Sequence, residues 1–259
     1  MSESLGWEWF VKKVQQKSGI DLTAYKRPQM ERRINSFIRS VGANDYESFV
    51  KLINDNNDMY RRFIEHLTIN VSEFFRNNNN WNVLREKIIG GLLQDRPKLK
   101  IWSAGCSTGE EPYSLAIMMN NWYPGKCEKI LATDIDADAL IKAREGIFSA
   151  KSVQLAAPEL VKRNFEINGD KVKIKDEIKS LVTFQRHDLL KDSFPGDMDL
   201  ILCRNVVIYF TEETKEKLYR RFVGALRQNG VLFIGSTEQI FQVKELGLET
   251  LATFFYRKV

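Results

Sequence analysis

The run from Leu99 to Ser114, LKIWSAGCSTGEEPYS, constrains this chain more than any other stretch. An apolar entry (Leu99, Ile101, Trp102) leads to Gly105 and Gly109, then to Glu110 and Glu111. Pro112 follows, and it suits a helix's first turn because its missing N–H is one the helix leaves unpaired anyway. The pattern predicts strand, glycine turn and helix: the nucleotide-binding corner of an α/β domain. Its acidic residues narrow the ligand. A diphosphate on a helix N-terminus is favoured by bare backbone N–H groups and positive side chains, and Glu110 and Glu111 would repel one. No Gly-Lys-Ser/Thr is present, so this is not a phosphate loop of the kinase or GTPase kind. A nucleoside with a cationic arm fits better, and S-adenosylmethionine is such a ligand.

The next segment agrees. Lys129–Thr133 reads as a second strand, with Asp134-Ile135-Asp136 at its carboxyl end. An acidic residue there, some two dozen residues after the glycine turn, is where such folds hold the ribose hydroxyls. A carboxylate accepts both vicinal hydroxyl protons in one geometry.

The chain has 259 residues, 43% of them hydrophobic, enough for one full α/β core plus a small extra domain. No apolar run approaches the ~20 residues of a membrane span, and the N-terminal MSESLGWEWF lacks the basic start and apolar stretch of a signal peptide. Cys106, Cys127 and Cys203 show neither paired spacing nor an even count, as expected of free thiols in a reducing cytoplasm. His66 and His187 lie far apart in sequence, which argues against a metal site and leaves little room for histidine acid–base catalysis. The net charge of +5 fits nucleic acid, an acidic protein partner, or a modest surplus of solvated lysines.

Helical spacing organises the first ninety residues. Trp7, Phe10, Val11 and Val14 form one stripe, ended near Gly19. Met30, Ile34, Phe37, Ile38 and Val41 form a second, with Pro28 near its start and Gly42 at its close. Phe49, Leu52 and Ile53 follow the N-cap Asp45, and Met59, Phe63 and Leu67 form a fourth. From Leu99 strands alternate with helices, the signature of a mainly parallel sheet. Strands are expected at 99–104, 129–133, 181–186, 199–203 and 231–235, with a final pair involving 251–257. Helices are expected near 110–122, 136–144 and 212–227. Within 165–175, FEINGDKVKIK, Asn168-Gly169 between alternating segments predicts a hairpin projecting from the domain edge, either decoration or a partner contact.

Four ordered segments resemble one family: Asn70-Val71-Ser72-Glu73-Phe74-Phe75-Arg76, Ser107 to Ser114 (STGEEPYS), Thr133-Asp134-Ile135-Asp136, and Cys203-Arg204-Asn205-Val206-Val207-Ile208-Tyr209-Phe210. They resemble the chemotaxis receptor glutamate O-methyltransferases (the CheR family), and the likeness covers essentially the whole chain. It implies a Rossmann-like S-adenosylmethionine-dependent methyltransferase sheet with a small all-helical N-terminal domain and a small β-hairpin insertion. The implied boundaries are 1–75 for the helical, receptor-docking domain and 76–259 for the methyltransferase domain, with the β excursion near 160–178. The family usually shows two threonines where this chain has Val71 and Ser72; Ser72 keeps a hydroxyl, whereas Val71 cannot hydrogen-bond.

By that resemblance, Asn70, Ser72 and Arg76 contact S-adenosylmethionine, with Glu111 or Glu110 at its methionine or ribose end. Asp134 holds the ribose, Asp188-Leu189 flank the adenine, and Arg204-Asn205 line the site. Phe74 and Phe75 are core candidates. Arg76 and Tyr209 are expected to orient the glutamate substrate. No general base is needed, because a glutamate with a pKa near ~4.3 is already an anion at neutral pH. Rate then comes mainly from alignment, where ordering two reactants contributes ~7–11 kcal/mol. Two other classes remain beside this one. Methylation of a nucleic-acid amine commonly uses an Asn/Asp-Pro-Pro-Tyr segment, and 204–209 contains no proline; a non-catalytic adenosyl-ligand sensor would not need Arg76 and Tyr209.

The expected partner is the cytoplasmic helical region of membrane chemotaxis receptors, without nucleic acid, membrane insertion or metal. Arg32, Arg33 and Arg39 lie off the second helix's apolar stripe, either as a solvated surface or as a docking face for the receptor's acidic helices. Some family members grip a receptor C-terminal pentapeptide with the β excursion. The tight Asn168-Gly169-Asp170 turn here predicts no such tether.

Overall fold

The structure, a computed structural model, describes residues 6–68, 70 and 72–259. Val71 and the first five residues of the N-terminal decapeptide fall outside these. The chain forms two compact units: residues up to Asn70 with Tyr209–Glu216, and 71–208 with Lys217–Val259.

The first unit is helical: α1 Trp7–Ser18, α2 Arg27–Ser40, α3 Tyr46–Asp55 and α4 Asn57–Thr68. Each expected stop and start is present. Gly19 ends α1 with φ 78°, a conformation that costs a side-chain-bearing residue more than glycine. Asp45 caps α3 in a reciprocal box with Ser48. The apolar stripes meet in a ring cluster in which Phe10 stacks on Tyr46 at 4.6 Å and Phe49 meets Phe63 edge-on at 5.1 Å. A later piece of chain joins this unit. Tyr25 bridges Phe210, Lys26 N–H donates to the Tyr209 carbonyl (2.9 Å), and Thr211 N–H donates to the Ala24 carbonyl (2.9 Å). The helical unit is therefore discontinuous in sequence, and its first segment runs to Asn70.

The second unit opens with α5 Asn78–Val83, a π turn over Leu84–Ile89 and α6 Gly90–Asp95. Alternation follows: β1 Ile101–Ala104, α7 Glu110–Trp122, β2 Ile130–Asp134, α8 Ala137–Glu145, β3 Ile147–Ser149, α9 Pro158–Asn164, β4 Phe165–Asn168, β5 Lys171–Ile174, α10 Asp176–Lys179, β6 Val182–Arg186, β7 Met198–Cys203, α11 Glu212–Ala225, β8 Leu226–Ile234, β9 Leu248–Ala252 and β10 Phe255–Lys258. The main sheet runs β6-β2-β1-β7-β8-β10-β9. Its first five strands are parallel, and β10 is antiparallel to both neighbours. Every residue of β1 and β7 is buried, as expected of parallel strands covered on both faces. Strand order reverses between β1 and β7, and ligands bind such sheets in the crevice outside the carboxyl ends at that point.

The excursion is a three-stranded sheet, β3-β5-β4, rather than a lone hairpin. Its turn also differs from expectation. Asn168 pairs with Lys171, so the loop is Gly169-Asp170, with the positive φ (61°) at its first residue. The sheet's apolar face, with Phe148 and Phe165, closes on Phe74 at ring distances of 4.9 and 5.0 Å. Phe74 and Phe75 are both buried, as expected of core residues.

Candidate cofactor and methyl-transfer site

The site grows from the carboxyl ends of β1, β2 and β7. Leaving β1, the chain turns through Gly105 (φ 81°), Ser107 (φ 48°) and Gly109 (φ 98°) into α7. The N–H groups of Gly105 and Cys106 both donate to the Thr133 carbonyl of β2, at 2.8 and 2.9 Å. A methyl group on Gly105 would stand 2.5 Å from a Val206 methyl carbon, so this turn also packs tightly on the loop after β7.

Asp134 ends β2. Its carboxylate accepts the N–H of Ser107 (2.7 Å) and that of Asp136 (2.9 Å). An ionised carboxylate has about four acceptor positions, so capacity remains for a ligand hydroxyl. Burial raises the pKa of Asp134, against the N–H groups of Asp136, Ser107 and Ile135. Asp136 is buried and caps α8 through the N–H groups of Asp138 and Ala139.

Glu110 and Glu111 occupy α7's first turn, where the helix dipole favours negative charge. The Glu110 carboxylate accepts the Thr108 hydroxyl at 2.7 Å. Burial raises its pKa, opposed by the Thr108 and Ser72 hydroxyls. Glu111 accepts the Ser103 hydroxyl (2.8 Å) and pairs with Arg204 at 3.3 Å. Its pKa is also raised by burial, against the pull of Arg204. The three carboxylates form an acidic cradle rimmed by backbone N–H groups. That donor set suits a ligand with a diol and a positive charge, so the residues present fit S-adenosylmethionine.

The segment after Asn70 is strapped across α7. Phe75 N–H donates to the Ser114 hydroxyl (2.9 Å), which itself donates to the Glu110 carbonyl (2.6 Å). The Arg204 guanidinium reaches the Arg76 carbonyl (2.7 Å) and the Asn77 side chain (3.3 Å). It lies over the rings of Phe233 and Trp81, at 4.7 and 5.5 Å. The Arg204 side chain is only 2% exposed and is thus a strut between Glu111 and the strap. Arg76 acts electrostatically on both Glu111 and Arg204.

Ser72, Arg76, Glu111, Asp134, Arg204 and Asn205 therefore gather in the second unit. Asp188 and Leu189 follow β6 beside Asp134, whose carbonyl accepts the His187 N–H at 2.9 Å. The Asp188 carboxylate shapes its own turn by accepting the Leu190 N–H (2.8 Å), and Leu189 is buried. Asn70 and Tyr209 group with the helical unit, where the Asn70 amide donates to the Thr68 hydroxyl at 3.1 Å. Sequence reasoning gave no role to Ser103, Ser107 or Ser114: the Ser103 and Ser114 hydroxyls hold Glu111 and the strap, and the Ser107 main-chain N–H holds Asp134, contacts that carry no periodic signal. The three docking candidates differ in their surroundings. Arg33 is half-buried, and its Nε donates to the His66 carbonyl at 2.6 Å while His66 Nε2 meets the Arg33 carbonyl at 3.2 Å. This reciprocal clamp joins α2 to α4 and occupies Arg33, whereas Arg32 and Arg39 remain exposed.

Residues 70–253 match the family described as CheR methyltransferase, SAM binding domain, and residues 5–68 match the CheR methyltransferase all-alpha domain. The chain belongs to the CheR methyltransferase family. It is similar to a chemotaxis protein methyltransferase of Listeria innocua, 44% identical over 251 residues that cover 96% of each chain. It is also similar to one of Salmonella typhimurium, 34% identical over 247 residues covering 91% of this chain and 84% of that one. As a CheR methyltransferase, the protein is an S-adenosylmethionine-dependent enzyme whose cofactor domain is the sheet unit just described.

Proposed function

We propose that this protein methylates glutamate side-chain carboxylates of chemotaxis receptors, forming the methyl esters of sensory adaptation. The observation that carries this is the acidic cradle of Glu110, Glu111 and Asp134 with Arg76 beside it, on a chain of the CheR family. Bound there, S-adenosylmethionine supplies an electrophilic methyl group. The protein's work is orientation. Asp134 takes the ribose hydroxyls, Ser72 and Arg76 contact the cofactor with Glu111 or Glu110 at its methionine or ribose end, Asp188-Leu189 flank the adenine, and Asn205 lines the site. Asn70 and Arg204 complete the cofactor's surroundings, Arg204 by fixing the strap. Arg76 and Tyr209 align the substrate carboxylate. A tight two-pronged arginine contact would blunt that anion, so Arg76 positions it through a single contact. The two histidines are not required as bases: His66 clamps two helices, and the His187 ring packs against Trp102 and Phe194.

The helical unit docks the receptor through Arg32 and Arg39. The two-residue Gly169-Asp170 turn leaves little loop for a peptide tether, so the excursion is assigned no pentapeptide. No helix among the described residues is long and apolar enough to cross a membrane. We assign the protein to the cytoplasm, where the receptors' helical regions lie. Labelled-methyl transfer from S-adenosylmethionine to purified receptor fragments tests this function, with DNA as the competing acceptor. Base-labile label mapping to glutamate peptides is the expected result; label on DNA, or none on receptor, rejects the assignment.

A further inference from the structure

β8 ends at Ile234, and the chain then makes a tight turn in which Glu238 N–H donates to the Gly235 carbonyl at 3.0 Å. The Glu238 side chain folds back, and its Oε2 accepts the Gly235 N–H. The residue is 5% exposed, an unusual place for a carboxylate that neither Asp134 nor the α7 pair explains. Across from it lies the loop after β7, where Asn205 has φ 59°. A methyl group on Gly235 would stand 2.6 Å from the Asn205 main-chain nitrogen, 3.1 Å from its Nδ2 and 2.7 Å from Glu238 Oε2. Only glycine permits that approach.

The main-chain N–H groups of Asn205, Val206 and Val207 all act on this carboxylate, opposing the effect of its burial. Successive N–H groups converging on one anion form a nest, a concavity that ordinarily receives a ligand's negative charge. Here the chain supplies the anion itself. Glu238 Oε1 is buried without a hydrogen-bond partner of its own, so the carboxylate is held at Oε2 by the Gly235 N–H and otherwise by the field of the loop's N–H groups. The same loop meets the glycine turn on its other side, where Val206 touches Gly105. Two glycines thus let the loop be gripped from both sides, one grip apolar and one ionic.

We infer that Glu238 is a positioning residue for cofactor binding, its buried carboxylate fixing the Asn205–Val207 loop in register with the glycine turn. This rests on the assignment of Asn205 and the glycine turn to the cofactor site. Glu238→Gln keeps the side chain's size but brings an amide donor against donors. Calorimetry with S-adenosylhomocysteine is expected to show about tenfold weaker binding, the size of one charge-assisted hydrogen bond replaced by a neutral one. The KM for S-adenosylmethionine should rise with it, kcat should change less, and amide exchange at 205–207 should quicken. Gly235→Ala, whose methyl would press on both the Asn205 main chain and Glu238 Oε2, should weaken binding in the same way while the carboxylate itself is kept.

Wild-type affinity and exchange rates in Glu238→Gln would overturn the inference. So would a lowered Tm with unchanged affinity in the folded fraction, because the carboxylate would then serve stability alone. Should Glu238→Gln fail to fold, Gly235→Ala decides by the same readouts. Failure of the wild-type chain to bind S-adenosylhomocysteine is a different result: it rejects the cofactor assignment itself, and Glu238's role falls with it.

Discussion

Asp134 serves two ends of the same pocket, tethering the glycine turn through Ser107 and leaving acceptor positions for the ligand. Asp134→Ala should therefore weaken S-adenosylhomocysteine binding sharply, since each charge-assisted bond to a ribose hydroxyl contributes about 1.5–3 kcal/mol. An unchanged calorimetric Kd would remove Asp134 from the site. The cradle also sets a pH dependence. Burial raises the pKa values of Glu110, Glu111 and Asp134 above their ordinary values of 4.5, 4.5 and 3.8. Between those values and the raised ones, the folded protein holds more protons than the unfolded chain. These groups hence stabilise the unliganded fold as pH falls into that window, and the contribution is lost as pH rises through the raised values. The ligand's α-ammonium and ribose hydroxyls select the ionised carboxylates, so affinity should move the opposite way. Titrating S-adenosylhomocysteine at successively lower pH should show binding weaken before ordinary carboxylates protonate. A Kd flat through the acid range would mean that no ionised carboxylate of the cradle engages the ligand's cation.

Among the elements, α8 and the small sheet meet at one residue. Gly146 closes α8 with φ 71°, its carbonyl accepts the Ile174 N–H at 2.9 Å, and an added methyl would stand 2.6 Å from an Ile174 methyl carbon. Gly146→Ala should destabilise by about 1–2 kcal/mol from the left-handed backbone alone, with the steric clash in addition. A Tm equal to that of the wild-type chain would show that β3-β5-β4 can shift away from the helix. Elements of this kind were largely legible beforehand, because apolar period and capping residues are local signals. The five parallel strands, α7, α8 and the Asp45 cap follow from them. β3 did not, since Ile147-Phe148-Ser149 has no turn of its own and becomes a strand by pairing with β5. The hairpin loop shifted by one residue for a related reason. Asn168 can enter a type I′ turn, but pairing with Lys171 places it in the ladder and leaves Gly169 to take the positive φ. In the site, residue types with fixed chemistry such as Asp134 and Glu111 were readable. The serines that hold them and the Glu238 grip were not, because those depend on contacts between distant segments.

At the scale of the whole molecule, the segment Tyr209–Glu216 shows what a linear boundary misses. Its place in the helical unit comes from contacts such as the Tyr25–Phe210 ring pair at 4.7 Å, which span most of the chain. The charge has a similar lesson. A net charge of +5 says nothing about where a partner lands, and the clamp engages one of three candidate arginines, the half-buried Arg33, inside the helical unit. Arg32 and Arg39 remain, seven residues apart on α2 and therefore on one face, clear of the buried stripe of Met30, Ile34, Phe37 and Ile38. An acidic receptor helix meeting that face gains long-range attraction that salt screens over about 10 Å at 0.1 M. Reversing both charges in Arg32→Glu with Arg39→Glu should cut receptor methylation steeply, and more at low ionic strength, where repulsion reaches furthest. Cofactor affinity should not move, because neither side chain belongs to the sheet unit that carries the cradle. Arg33→Glu, by contrast, should lower the Tm by breaking the clamp between α2 and α4. Full methylation by the double variant at low salt would return α2 to a scaffolding role and place the receptor elsewhere on the enzyme.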